Sequence, residues 1–132
     1  MSEENVEILR RAFEAFNRRD ADGFATLCTQ DVEIVPIRAA VEDTIYRGPD
    51  AVNRFFTESD QVWDHLRVEV DEIHDLGDRV LVLGLFCARG RASGAEVEIK
   101  AGWVAELEGG LIAAARTYAS GEDALEAAGL SE

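Results

Sequence analysis

At 132 residues the chain supports a single domain, because one core grows to roughly twice that length before chains divide. Hydrophobic residues make up 47% and aromatics 8%, which excludes a disordered chain and leaves enough apolar material for a core without a metal or disulfide staple. With 27 acidic residues against 13 basic ones the net charge is -14, a field that argues against nucleic-acid and membrane partners; it suits a neutral or cationic small molecule, or else simply solvates the surface.

The first helix is predicted over residues 3–18, with Ser2 as cap, Glu3 and Glu4 at its positive end, and Val6, Leu9, Phe13 and Phe16 on one face. Charges every few residues exclude a signal peptide or membrane span here, so a cytoplasmic location is expected. Asp20 caps a short second helix whose buried stripe is Ala21, Phe24, Leu27 and Cys28. "DVEIVPI" reads as a strand that Pro36 places at an edge or an end. "YRGPDAVNRFFTESDQVW" restarts a helix with Pro49 in its first turn and Val52, Phe55, Phe56, Val62 and Trp63 placed for burial.

From Leu66 the period changes to two: Leu66, Val68 and Val70 alternate with Arg67, Glu69 and Asp71. "DLGD" turns the chain into "RVLVLGLFCA", apolar on both faces and therefore central. After the loop "RGRASG" comes the longest alternation, from Ala95 through Trp103 to Leu107. "EGG" then turns into "LIAAARTY", and Ser120 with Asp123 opens a closing helix that Gly129 stops. Helices followed by a strand meander predict an α+β domain: a curved antiparallel sheet wrapped on three helices, with a pocket in the resulting cone. Cys28 and Cys87, each in an apolar run, read as free buried thiols of a reducing compartment. Two histidines nine residues apart give no metal-ligand pattern, and no glycine-rich phosphate loop opens a helix, so no metal and no cofactor are expected.

In "AFEAFNRRDADGFATLCTQDVEIVP", "YRGPDAVNRFF" and "YASGEDALEAAGL" the chain resembles the nuclear transport factor 2-like superfamily, and in particular its SnoaL-like branch of polyketide cyclases, ketosteroid isomerases and related bacterial proteins. The resemblance covers essentially the whole chain. It implies a homodimer through the outer face of the sheet, where Glu98, Lys100 and Glu106 lie. The family's isomerases use a strand carboxylate as base, with a Tyr and a protonated Asp as oxyanion donors. Here the matching positions carry Val35 or Pro36, Ala12 and Trp103, which argues against steroid isomerisation by that route. The Asp and His of the family's cyclases, and the paired Asp with Arg of its epoxide hydrolases, find no clear counterpart; His65 and His74 sit beside strand ends.

Glu33 is the carboxylate that remains on the first strand: facing the pocket it is a desolvated base, and facing outward it is solvated or salt-bridged. Arg116 shares strand parity with Ile112, Ala114 and Tyr118, so it either meets a ligand oxygen or pairs with Glu33 or another acid. Tyr118 and Tyr46 offer phenol donors or pack as amphipathic rings, and Arg38 and Arg47 guard a pocket mouth or are simply solvated. Phe16, Phe56, Trp63 and Trp103 are expected, with Tyr46, to contact a ligand, unless Trp103 fills the cone instead. The leading expectation is a small hydrophobic molecule in the pocket, handled by cofactor-independent acid/base chemistry through Glu33, Arg116 and Tyr118. The competing ones are a non-catalytic sensor or carrier and a protein-interaction module.

Overall fold

The structure is a computed structural model that describes residues 2–37 and 45–129. Helices α1 (Ser2–Asn17) and α2 (Ala21–Ala25) lead into β1 (Cys28–Val35). Next come β2 (Tyr46–Arg47) and α3 (Ala51–Val62), then β3 (Trp63–Asp75), β4 (Arg79–Gly90), β5 (Glu96–Glu108), β6 (Leu111–Tyr118) and α4 (Gly121–Ala127). The strands form one open sheet in the order β2-β1-β6-β5-β4-β3. Its meander from β3 to β6 is antiparallel, as the alternation predicts, while β1 joins β6 in parallel, so the sheet is mixed. The α+β architecture, the three preceding helices and the closing short helix are those expected.

Local chemistry sets the boundaries. The carboxylate of Asp20 accepts from the Gly23 N–H at 2.9 Å, and the hydroxyl of Ser120 accepts from the Asp123 N–H at 3.0 Å, so both expected caps form. Ser2 and Arg38 fall outside the described side chains. The second helix is shorter than its apolar stripe suggested, because the Leu27 carbonyl accepts from the Ile112 N–H at 2.8 Å and draws the chain into the sheet. Cys28 therefore opens β1. Tyr46 and Arg47 are not helical either: they pair with Ile34 and Glu33 as β2, Gly48 turns the chain with φ 93°, and α3 starts only after Asp50.

One face of the sheet meets α1, α2 and α3 in the main core, where Leu9, Phe16, Val52 and Phe56 pack on Val68, Val82, Phe86, Trp103 and Ile112. The carboxamide of Asn17 fastens the end of α1 to the edge strand β3. It donates to the Val68 carbonyl at 2.9 Å and accepts from the Val68 N–H at 2.8 Å. On the opposite face α4 covers a smaller cluster, with Ala124 and Ala128 on Leu81. Its approach depends on Gly102, where a Cβ would collide with that of Ala124.

Two strands carry an extra residue that bears on the site. In β3 the pairing shifts between Asp64 and Arg67, and His65 takes a left-handed φ of 53° there. In β6 Ile112 pairs with Leu107 and Ala114 with Glu106, which leaves Ala113 as the extra residue of a bulge.

An apolar cavity between the helices and the sheet

Between the helices and the inner face of the sheet lies a cavity of about 70 Å³. Leu9, Ala12, Phe13 and Phe16 of α1 form one wall, and Phe55 and Ser59 of α3 a second. Trp103 and Ala105 of β5 with Ala115 and Thr117 of β6 form the floor. Aromatic rings pack around it: Phe13 meets Trp103 edge-on at 5.1 Å, Trp63 meets Phe86 at 5.5 Å, and Phe16 stacks on Phe55 at 6.0 Å. Trp103 and Phe86 are buried, whereas Phe13, Phe55 and Trp63 are only half-buried and make up the yielding part of the wall. Among the described residues that line it there is no Asp, Glu, His, Lys, Arg, Cys or Tyr; Ser59 and Thr117 supply the hydroxyls.

The three residues expected to act on a ligand gather in one place, but it is a shallow depression on the opposite face of the sheet. Arg116 was expected to share a face with Ile112. The bulge at Ala113 reverses that parity, so Ile112, Ala115 and Thr117 face the cavity while Ala114, Arg116 and Tyr118 face away. Arg116 is exposed, and its guanidinium lies 5.4 Å from the centre of the Tyr118 ring. Glu33 also points outward, accepting from Arg47 Nε at 2.6 Å across the β1–β2 pair. Both ends of that ion pair are well exposed, so Glu33 faces solvent rather than the cavity. Of the residues expected at a ligand, Phe16, Trp63 and Trp103 line the cavity. Tyr46 is buried behind its wall, where its hydroxyl donates to Glu58 Oε1 at 2.7 Å. Phe56 sits in the core between Phe16 and Phe24, at 5.7 and 5.4 Å.

Two features escaped sequence reasoning. Arg19, left-handed at φ 57°, lies over the rings of Phe16 and Phe56 at 4.8 and 4.7 Å and pairs with Asp60 at 2.8 Å, which ties the cavity's α1 wall to α3. Burial lowers its pKa from the usual guanidinium value, and Asp60 opposes that shift. Ser59 is the other. A Ser one turn from Phe55 and one from Trp63, inside an apolar helical stripe, was the signal available for it.

The SnoaL-like domain model matches residues 9–115, most of the chain and every described lining residue of the cavity except Thr117. The chain belongs to the SnoaL-like family. No curated protein matches it. Solved structures place the SnoaL-like chain among nuclear transport factor 2-like folds. One is a nuclear transport factor 2-like protein of unknown function from Burkholderia pseudomallei, 22% identical, covering 93% of this chain and 95% of that one with a TM-score of 0.79. A second is a SnoaL-like polyketide cyclase, so described, from Jannaschia sp., 17% identical over 89% of this chain and 85% of that one, TM-score 0.76. A third, from Mycobacterium tuberculosis, was crystallised with estradiol-17beta-hemisuccinate; it is 20% identical over 87% of this chain and 92% of that one, TM-score 0.73. At these identities the likeness is one of fold. Among the described residues of the SnoaL-like chain, no group of three or more His, Cys, Asp or Glu side chains is placed to hold a metal ion, and no helix is long and apolar enough to cross a membrane.

Proposed function

We propose that this protein binds a compact, uncharged apolar molecule in the cavity between helices and sheet, as a carrier or sensor rather than by acid/base catalysis. The observation that carries this reading is the lining: an aromatic box whose described residues offer two hydroxyls and no ionisable side chain. Burying an apolar ring there gains roughly 25 cal/mol per Å² removed from water, whereas a charged ligand would lose its hydration with no partner to replace it. The M. tuberculosis neighbour, crystallised with a steroid ester, supports ligand binding as a use of this fold. About 70 Å³ is well below the roughly 300–1,000 Å³ of drug-sized sites, so the ligand is small or enters by pushing the half-buried Phe13, Phe55 and Trp63 outward.

Thermal unfolding in the presence of neutral one- and two-ring aromatics tests this. A ligand at a hundred times its dissociation constant stabilises by about 2.7 kcal/mol, a rise of roughly ten degrees for a domain of this size. Ala115→Leu, which fills the floor of the cavity, should remove the rise. No stabilisation by any such ligand would sink the binding reading, and chemical conversion of a bound one would replace carrier with enzyme.

We propose in addition that the part of the outer face not covered by α4 holds a second copy of the chain. There Arg67, Cys87 and Glu98 lie side by side across three strands, next to Glu69, Leu85 and Lys100, a surface with both signs of charge interleaved with apolar groups. Such a patch can meet its own copy about a two-fold axis. Sedimentation at the mass of one chain across the micromolar range would dispose of this.

A further inference from the structure

Ser59 is 3% exposed and is the buried polar residue of the described chain. Its carbonyl is used, accepting from the Trp63 N–H, but its hydroxyl has no hydrogen-bond partner among the described residues. The hydroxyl oxygen is not itself sealed off, for among the described residues the fully buried side-chain polar atom left without a partner is Arg19 Nε; an alanine at that place in α3 would favour the helix more. Ser59 lines the cavity, as does Thr117, which sits opposite Trp103 in the β5–β6 register and whose hydroxyl is likewise without a partner among the described residues. The site's unmet hydrogen-bonding capacity therefore opens into the cavity.

Building on the cavity-binding reading, we propose that Ser59 and Thr117 select the ligand, and that its class is an uncharged ring compound carrying a hydroxyl or carbonyl oxygen. A serine or threonine hydroxyl both donates and accepts, so either oxygen type satisfies it. A plain hydrocarbon would fill the same space but leave both hydroxyls unpaired. A carboxylate would bring a charge to a wall where no described residue carries a cation, inside a chain of net charge -14. An amine would meet no described carboxylate in the wall.

The chain's two tryptophans, Trp63 and Trp103, both line the cavity, so their emission reports entry directly. Phenol, benzene and benzoate are titrated into wild type, Ser59→Ala and Thr117→Val, with excitation beyond the absorption of the probes. In Ser59→Ala the phenol-to-benzene affinity ratio should fall about fivefold, the worth of one neutral hydrogen bond, and in Thr117→Val it should fall in the same direction. Benzoate should bind neither wild type nor variants. If benzene and phenol both bind and the ratio is unchanged in both variants, the selection by hydroxyls is wrong while cavity binding stands. Benzoate binding as tightly as phenol would overturn the uncharged class. If no probe perturbs the wild-type emission, the cavity reading fails and takes this one with it. Ser59→Ala should unfold no earlier than wild type, since it removes a hydroxyl with no partner among the described residues and puts a better helix former into α3; a clear loss of stability would mean the hydroxyl serves the fold rather than a ligand.

Discussion

Cys28 opens β1 with its Sγ 3.5 Å from the Phe24 carbonyl, and burial pushes its thiol up to about 12. The folded chain therefore keeps a proton that the unfolded chain, whose thiol ionises near 9.0, releases in alkali. This contribution is intact below pH 9 and is lost as the pH rises toward 12, at up to about 1.4 kcal/mol per pH unit. Urea unfolding of wild type and Cys28→Ala between pH 8 and roughly pH 10.5 checks it: the variant starts less stable because a half-buried side chain is trimmed, but its stability should decline less steeply in alkali. An equal decline in both would show that Cys28 has no such role. The same burial keeps the thiol protonated and poorly reactive in the native chain. At this scale the sequence is legible where a residue acts on its neighbours, as in the caps at Asp20 and Ser120. It is not legible where a side chain acts across the fold: nothing local to Arg19 announces that its guanidinium will lie between Phe16 and Phe56.

Among the helices, α4 is the one on the outer face of the sheet. It rests on the outer face through Ala124 and Ala128, and Arg79 donates to the Ala127 carbonyl at 3.2 Å. Gly102→Ala would place a methyl against the Ala124 Cβ, so α4 must lift or the strand must shift. The expected cost is roughly 1–3 kcal/mol, with faster proteolytic trimming of the residues after Tyr118 as its local signature. Wild-type stability in that variant would mean that α4 adjusts freely. Most elements were readable from periodicity, because the apolar stripe of a half-buried strand repeats every two residues and that of a helix every three to four. What could not be read is the half-step in β6. Alternation from Ile112 to Tyr118 puts Arg116 inward on paper, and only the pairing partners Leu107 and Glu106 disclose that Ala113 takes up one place without advancing the register. One unpaired alanine thus separates a reading of the cavity as charged from a cavity lined, among the described residues, by neutral groups.

For the whole molecule, charge and assembly are linked. Two chains of net charge -14 repel at long range, and the proposed contact must overcome that repulsion with short-range complementarity between residues such as Arg67 and Glu98. The Debye length shortens from about 30 Å at 0.01 M salt to about 8 Å at 0.15 M, so added salt removes more repulsion than attraction. The dimer should therefore tighten as salt rises over that range, measurable by sedimentation; a dimer that loosens steadily would place the contact on ion pairs alone. Fold class was legible because the order of elements is a property of the whole chain, whereas the ligand depends on a few lining groups that one register shift rearranges.

Finally, the clasp of Asn17 on Val68 bears on how the protein avoids fibrous assembly. Strand β3 ends the sheet and is 13 residues long, the kind of edge that invites another strand to add. By presenting one acceptor and one donor to Val68, the Asn17 carboxamide stands in for the backbone of a neighbouring strand midway along that edge. At the other end, β2 is only two residues long. Among the described residues neither border offers an uninterrupted template, so copies of this chain are steered away from edge-to-edge growth and toward contacts between faces, which close on themselves instead of propagating.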